Sequence, residues 1–328
     1  MKHKILAVCL SLGLVMGLAG CGQKAAQNQD PAKQVDSETA AGVSNGTLND
    51  DSKVIAVGKT TVLNREYKAY YYFMKNQYEN VLSNNIWSYK ESGKSIGQEA
   101  VEDVVRLIIQ VKVICKAAGQ QSVSLAADEK EKADYNAKTY LASLDDKVKQ
   151  ENGLDEAVVT QIFEENKLAE KMYNVVAGKA VAALANEQLQ AVKVQMLKLS
   201  YTADTKEKIR AKATQLQQQI ASGPNSFYVV AKANTEADSV EKIIGTKDEY
   251  TNVVKTALAM KKGEDSKVIE EKDAFYLVHV LQPSSKSLND SYKNQLVSQT
   301  QTKAFQDDYN SWAGQYGVRV SKTLLADK

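Results

Sequence analysis

The stretch ALAMKKGEDSKVI, residues 257–269, decides the fold of the C-terminal half of the chain. It contains the end of an amphipathic helix predicted over residues 250–260, a Lys-Gly-Glu turn and a short apolar strand at residues 268–269. A second turn at residues 273–274 leads into the apolar run FYLVHVL, residues 275–281, which has the composition of a buried strand. The stretch therefore predicts a helix followed by a hairpin.

The residues before this stretch complete a compact unit of both helices and strands. The period of the apolar residues indicates a strand from Val192 to Leu199, and an amphipathic helix follows and ends at Gly223-Pro224. A short helix is predicted over residues 227–233. We therefore assign residues 191–283 to one α+β domain.

The sequence on both sides of this domain is predicted to be mostly helical. Only three prolines occur in 328 residues, so long helices can run with few interruptions. Residues 284–328 are predicted to form one closing helix and a final short strand. Before the α+β domain, residues 53–190 are predicted to hold two short strands and helices over residues 64–83, 98–118, 124–152, 155–178 and 180–190.

The N-terminus has the pattern of an export signal. Lys2 and Lys4 precede an apolar run of 14 residues, which is too short to span a bilayer. The run ends in Leu-Ala-Gly-Cys, which resembles the bacterial lipobox; the alternative is an uncleaved anchor or a chance cysteine. We expect a lipoprotein signal peptide over residues 1–20, lipidation of Cys21 and a disordered tether over residues 21–52, which are rich in small and polar residues.

Composition excludes several classes of function. Removal of residues 1–20 leaves 40 basic and 40 acidic residues, so the basic surplus that nucleic-acid binding needs is missing. One of the two histidines, His3, lies in the predicted signal peptide, and His279 alone cannot form a site of paired imidazoles. We expect no metal and no cofactor. Cys115 has no disulfide partner after export and is expected to be a core thiol.

Residues 257–269 resemble the A-x-x-L-K-x-G-E-x-S-x-x-V stretch of parvulin-type (PpiC, rotamase) prolyl isomerase domains. The flanks, with a Val-Gly-Lys strand before a long helix and a closing aromatic helix, resemble the PrsA- and SurA-type extracytoplasmic foldases. The resemblance implies an α+β fold class. It also implies a mostly helical, discontinuous chaperone domain, residues 53–190 and 284–328, with a parvulin-like domain, residues 191–283, inserted into it.

The positions that match functional residues of the parvulin family carry other side chains here. The family's histidine on the first strand corresponds to Met196, and its histidine on the last strand corresponds to Tyr276. A methionine of the family falls near Glu249, and its acidic loop is reduced to residues 241–245. His279 cannot substitute, because side chains alternate along a strand and His279 faces away from Tyr276. These departures predict weak or absent isomerase activity.

The helix predicted over residues 64–83 carries a stripe of tyrosine and methionine. Such residues either pack in a core or offer adaptable contact area to an unfolded client protein. The sequence leaves both interpretations open. The candidate client-binding residues are Tyr67, Tyr70, Tyr71, Met74 and Tyr78.

The sequence thus predicts a folding factor that is lipid-anchored to the extracytoplasmic face of a bacterial membrane through Cys21. Its partners would be unfolded or partly folded exported proteins, and its apolar helix faces are compatible with a homodimer. One alternative is an active peptidyl-prolyl cis-trans isomerase. The others are a solute-binding lipoprotein, which predicts two α/β lobes, and a purely structural surface lipoprotein.

Overall fold

The computed structural model describes residues 40–82, 86–87, 89–91, 94–185, 187–223 and 226–326. Contacts within the chain divide it into a first unit, which holds the residues up to Ala180 and those from Gln301 onward, and a second unit, Val181–Thr300. The chain therefore leaves the first unit and returns to it, as the resemblance implied. The return occurs at Gln301 and not at residue 284, so the start of the closing helix belongs to the second unit.

The described helices and strands follow one another in a simple order. In chain order they are β1 (Lys53–Val57), β2 (Thr60–Leu63), α1 (Asn64–Leu82), β3 (Lys90–Glu91), β4 (Lys94–Ser95), α2 (Ile96–Gln120), α3 (Ala127–Ala142), α4 (Asp146–Glu151), α5 (Glu156–Val181), β5 (Ala191–Ser200), α6 (Lys206–Ser222), α7 (Phe227–Asn234), β6 (Glu241–Gly245), α8 (Thr251–Ala259), β7 (Ile269–Glu270), β8 (Ala274–Gln282), α9 (Lys286–Ala313), β9 (Val318–Val320) and α10 (Lys322–Ala326).

The first unit is built around α2. Ser95 and Gln98 form a capping box at its start: the Gln98 amide donates to Ser95 Oγ, and the Ser95 amide donates to Gln98 Oε1, both at 3.1 Å. Half of this helix is buried against α1, α5 and the sheet β2-β1-β9. Because β9 pairs antiparallel with β1, the two ends of the unit meet in one sheet.

The predicted disordered tether, residues 21–52, extends too far toward β1, because residues 40–52 are bound to the folded unit. The amides of Ala41 and Ser44 donate to the carbonyls of Gly58 and Lys53, each at 2.8 Å. Asn45 accepts from the Lys322 amide at 2.8 Å. This segment is polar in composition, but its backbone and Asn45 bind the sheet and α10, which composition alone does not reveal. The remainder of the predicted tether lies outside the described residues.

The charged helix predicted over residues 124–152 is wrong as a single element. It is two helices, α3 and α4, and α3 begins after Ala126 and not at Ser124. The Glu129 carboxylate accepts from the Ala126 amide at 2.8 Å, and the Ser143 hydroxyl donates to the Tyr140 carbonyl at 2.6 Å where α3 ends. Glu129 thereby caps the start of α3, and the short polar side chain of Ser143 binds the local backbone where the helix ends. The helix predicted over residues 180–190 is also wrong, since α5 ends at Val181 and the described residues between it and β5 hold a single short 3₁₀ turn, Ala182–Leu184.

The second unit is organised by an antiparallel sheet in the order β6-β5-β8-β7. Its longest pairing joins β5 to β8, with Met196 opposite Val278 and Lys198 opposite Tyr276. Helix α8 covers the face that carries Met196, Tyr276 and Val278. Helices α6 and α7 cover the opposite face, which carries Leu197 and Phe275. The helix-turn-hairpin predicted from residues 257–269 is present, and Gly263 takes a φ of 84° in its turn.

The direction of the described strands tests the alternative of a solute-binding lipoprotein. Every strand pairing among them is antiparallel, which contradicts the two α/β lobes expected of a solute-binding lipoprotein. In the part of the chain that the structure describes, no helix has the length and apolar character needed to cross a membrane.

A buried ion cluster joins three helices of the first unit. The Nζ of Lys112, which is 3% exposed, lies 2.6 Å from Glu66 Oε1 and 2.7 Å from Glu165 Oε1. Burial raises the pKa of Glu66 despite the neighbouring ammonium group. Burial alone would lower the pKa of Lys112, but Glu66 and Glu165 outweigh it and raise that pKa. Lys112 is therefore charged and links α1 to α5.

Replacement of Lys112 by Met should destabilise the first unit strongly. The substitution leaves the carboxylates of Glu66 and Glu165 buried without a counter-charge, which costs about 3–5 kcal/mol of unfolding free energy. Urea denaturation followed by tryptophan fluorescence measures it, since Trp87 and Trp312 both lie in the first unit.

The control is Lys138→Met, because Lys138 is exposed and its pair with Glu156 should contribute less than about 1 kcal/mol. Without Lys112, a buried carboxyl has a raised pKa in the folded state, and protonation at low pH removes its uncompensated charge. The loss of unfolding free energy in Lys112→Met should therefore be smaller at pH 5 than at pH 8. A loss as small as the control's, or a loss that grows at low pH, would contradict this role of Lys112.

Candidate functional site: a tyrosine-lined cavity in the second unit

The second unit contains a cavity of about 580 Å³ beside the start of α8. Its floor is formed by Met196 on β5 and Tyr276 on β8, which are 2% and 5% exposed. The two side chains share one face of the sheet because the register sets Met196 opposite Val278, two residues from Tyr276. The floor is therefore apolar and aromatic.

Tyr250 forms a wall of the cavity. The centroid of its ring lies 5.9 Å from that of Tyr276, and Lys242 Nζ lies 5.8 Å from the centre of the Tyr250 ring. Burial and then the Asp248 carboxylate raise the pKa of Tyr250. Burial and then Asp273 and Glu271 raise the pKa of Tyr276 to about 12. Both hydroxyls are protonated at pH 7, and that of Tyr276 can donate a hydrogen bond to a ligand.

Two of the carboxylates that line the cavity hold its walls. Glu271 Oε1 accepts from the amides of Asn252 at 2.7 Å and Val253 at 3.0 Å and so caps α8. Glu236 Oε2 accepts from the Ser200 amide at 2.8 Å, and this hydrogen bond lowers the pKa of Glu236. The hydrogen bonds to backbone amides thus account for the positions of the Glu271 and Glu236 carboxylates. The rest of the polar rim is Lys198, Asp238, Lys242, Glu249, Lys272 and Asp273.

His279 lies away from the cavity, as the strand period predicted. It is on the other face of β8, where Nδ1 lies 2.7 Å from Asp265 Oδ1 and the ring centroid lies 5.7 Å from that of Phe227. The described lining of the cavity therefore contains no imidazole. Among the described residues, no group of three or more His, Cys, Asp or Glu side chains is placed to hold a metal ion.

The structure brings the three sequence-derived positions together. Met196, Glu249 and Tyr276 all line the cavity, although they come from β5, the turn before α8 and β8. Sequence reasoning missed Tyr250, which the pattern predicts only as the start of a helix. Its position next to Glu249 does not set it apart from other tyrosines, because its place in the cavity depends on contacts between segments that are distant in sequence.

Some side chains of the tyrosine and methionine stripe on α1 are buried in the core, and others are partly exposed at its edge. Tyr67, Tyr70 and Met74 lie in the core of the first unit, so they do not form the accessible client-binding surface considered above. The helix turns these side chains toward α2 and α5, where apolar burial is most favourable. Tyr71 and Tyr78 are half-buried at the edge of that core.

Cys115 lies where the sequence placed it, on α2 facing the core. Its Sγ donates a hydrogen bond to the Glu165 carbonyl at 3.6 Å. Burial raises the pKa of the Cys115 thiol to about 12, so almost none of it is thiolate at neutral pH. The thiol is not suited to nucleophilic chemistry.

The cavity falls within a known domain type. Residues 192–282 match the family model Rotamase, described as the PPIC-type PPIASE domain. The chain therefore contains a parvulin-type domain in these residues, and the resemblance to that domain family is confirmed. No curated protein matches the chain in sequence.

Solved structures similar to the chain include PrsA proteins and a SurA-like chaperone. PrsA from Bacillus anthracis, a peptidylprolyl isomerase, is 15% identical with a TM-score of 0.38, over 63% of this chain and 94% of that chain. The foldase protein PrsA from Streptococcus pneumoniae is 18% identical with a TM-score of 0.29, over 80% and 92%. A SurA-like chaperone from Campylobacter jejuni is 11% identical with a TM-score of 0.29, over 82% and 99%.

Proposed function

We propose that this protein is an extracytoplasmic folding factor that binds unfolded exported polypeptides. In this proposal its parvulin-type domain holds proline-containing segments in the cavity and isomerises them slowly or not at all. The observation that carries the proposal is the cavity itself, which lies in residues matched to a peptidyl-prolyl isomerase family and has a floor of Met196 and Tyr276 with Tyr250 as a wall. An apolar and aromatic floor of this kind, inside a charged rim, suits a proline ring.

The same cavity lacks the side chains that would make catalysis efficient. Rotation about a peptide bond meets a barrier of roughly 18–20 kcal/mol, which falls only if a site favours the twisted amide over the planar one. The resemblance implies that two histidines shape such a site in active relatives. Met196 offers no hydrogen bond donor in place of one of them, so we expect binding to exceed catalysis.

Active isomerisation is the second candidate, and one observation favours it. The hydroxyl of Tyr276 is neutral at pH 7 and can donate a hydrogen bond to a twisted amide, whereas the Asp248 carboxylate competes for the proton of the Tyr250 hydroxyl. No proton has to move in the reaction. Tyr276 could therefore replace part of a histidine-based network.

The first unit would supply further contact area for clients. Tyr71 and Tyr78 retain exposed surface on α1, and the Tyr78 ring centroid lies 6.0 Å from that of Trp87. Amphipathic rings of this kind bind varied apolar segments at low entropic cost. We propose these residues as the client-contacting edge of the unit.

Anchoring forms the remaining part of the proposal. Cys21 follows Leu-Ala-Gly at the end of a short apolar run, the pattern of a lipidated cysteine. Two acyl chains on one residue would hold the protein on a membrane far more firmly than a single chain. Unfolded exported proteins pass this surface, which suits a folding factor.

Peptide binding tests the role of the cavity. We expect the mature chain to bind a fluorescent proline-containing peptide, and Tyr276→Ala to weaken the affinity roughly tenfold, since part of the apolar floor is lost. Fluorescence anisotropy measures both. The matched control is Tyr228→Ala, which removes an exposed tyrosine from α7 of the same unit. Equal affinities for all three proteins would show that the cavity does not hold the peptide.

A folding assay separates the two candidate functions. We expect the mature chain to delay aggregation of a chemically unfolded reference protein while the slow, proline-limited refolding phase of a second reference protein keeps its uncatalysed rate. Light scattering and refolding kinetics measure these effects, with a catalytically active parvulin as the positive control. Acceleration comparable to that control would favour the isomerase, and failure to delay aggregation would contradict client binding.

Lipidation is tested by Cys21→Ser in the full chain expressed in a bacterium that processes lipoproteins. We expect the wild-type chain in the membrane fraction with Cys21 as its first residue, and the variant as an unprocessed precursor, because the lipid attaches to the thiol. Cell fractionation and mass spectrometry of the N-terminus provide the measurement. Cys9→Ser, which alters the region removed, is the control. A variant processed and located like the wild type would rule out lipidation at this cysteine.

A further inference from the structure

Tyr292, on α9 outside the family-matched residues, contacts the segment that ends in Tyr250. Its side chain is 1% exposed. Tyr292 Oη donates to Asp248 Oδ1 at 3.2 Å and accepts from the Lys247 amide at 3.1 Å. The hydroxyl therefore makes two hydrogen bonds to the loop between β6 and α8.

Asp248 connects this hydroxyl to the cavity wall. Its Oδ2 accepts from the Gly245 amide at 2.8 Å, which fixes the carboxylate at the end of β6. Beyond the effect of burial, the Asp248 carboxylate also acts on the side chain of Tyr250, two residues further along the chain, and raises its pKa. Asp248 is thus held by Tyr292 and Gly245, and the loop that they fix leads directly into Tyr250.

The close approach of α9 to β6 depends on a glycine. A Cβ atom added to Gly245 would lie 2.5 Å from Cε1 of Tyr292 and 2.6 Å from the Gln190 carbonyl oxygen. Both distances are shorter than real Cβ contacts, so a larger residue would displace Tyr292. This packing fixes where the Tyr292 hydroxyl can lie.

We infer that Tyr292 is a positioning residue for the cavity, and that it acts through Asp248 to hold the ring of Tyr250 against Tyr276. The inference rests on the proposed function of the cavity as a peptide site. Because Tyr292 lies beyond residue 282, the site would need a helix that the family match does not include. The relay thereby extends the functional unit into α9.

A double-mutant cycle on the full mature chain tests this coupling. We expect Tyr292→Phe and Tyr250→Phe each to weaken binding of the proline-containing peptide about fivefold, and the double variant to bind no more weakly than either single variant. Such non-additivity would not arise if Tyr292 served only general packing. Tyr228→Phe, combined with either variant, is the control and should add nothing. Additive losses, or no loss in Tyr292→Phe, would overturn the inference.

A spectroscopic measurement keeps the test independent of peptide binding. The chain labelled with 3-fluorotyrosine gives ¹⁹F NMR signals that Tyr228→Phe, Tyr250→Phe and Tyr276→Phe assign. We expect Tyr292→Phe to shift the Tyr250 signal and leave the Tyr228 signal unchanged, and to have no such effect once Asp248→Asn is present. An unshifted Tyr250 signal overturns the relay. If the relay holds but the wild-type chain binds no peptide, the proposed function fails and the positioning of Tyr250 stands.

Discussion

The antiparallel pairing of β5 with β8 determines the chemistry of the second unit. Side chains alternate between the two faces of a strand, so this register sends Met196 and Tyr276 to the cavity and His279 to the opposite face. A shift of one residue in β8 would exchange the two faces and bring an imidazole to the cavity. The apolar packing on both faces holds the register in place. The absence of histidine from the described cavity lining is thus a property of strand pairing as well as of composition.

Ionisable side chains serve different purposes in the two units. In the first unit, Lys112 is buried between Glu66 and Glu165, so its charge is compensated and it joins helices. Around the cavity, Glu271 and Glu236 instead bind backbone amides and shape the walls. Two of the carboxylates that line the cavity are therefore structural, and the Tyr276 hydroxyl is the neutral polar group on its floor.

Much of this arrangement follows from the sequence, because the deciding signals are local. The turn at Gly263 and the apolar period of β8 are enough to place the hairpin, and the same period places His279 correctly. The limits of the predicted charged helix were wrong because Ser143 and Glu129 bind backbone groups that a propensity argument does not weigh. Burial of Tyr70 depends on helices distant in sequence, and no local pattern distinguishes it from an exposed tyrosine.

For the cavity, too, local sequence patterns predict some residues and miss others. Its residues at Met196 and Tyr276 could be found from a motif, since each lies on a strand with a clear period. Tyr250 could not be ranked above other tyrosines, because its role depends on the loop through Asp248 and on a close approach between Gly245 and Tyr292. Contacts between segments that are far apart in sequence carry this information.

The segment before β1 gives the first unit a mechanical property. Ala41 and Ser44 are bonded to the β1–β2 hairpin, and Asn45 binds Lys322 and Thr323 of α10. A force applied to the chain from its N-terminal side reaches these hydrogen bonds before it reaches β1, the central strand of the sheet. These hydrogen bonds would therefore be the first to bear such a load, ahead of the sheet and the helices packed on it.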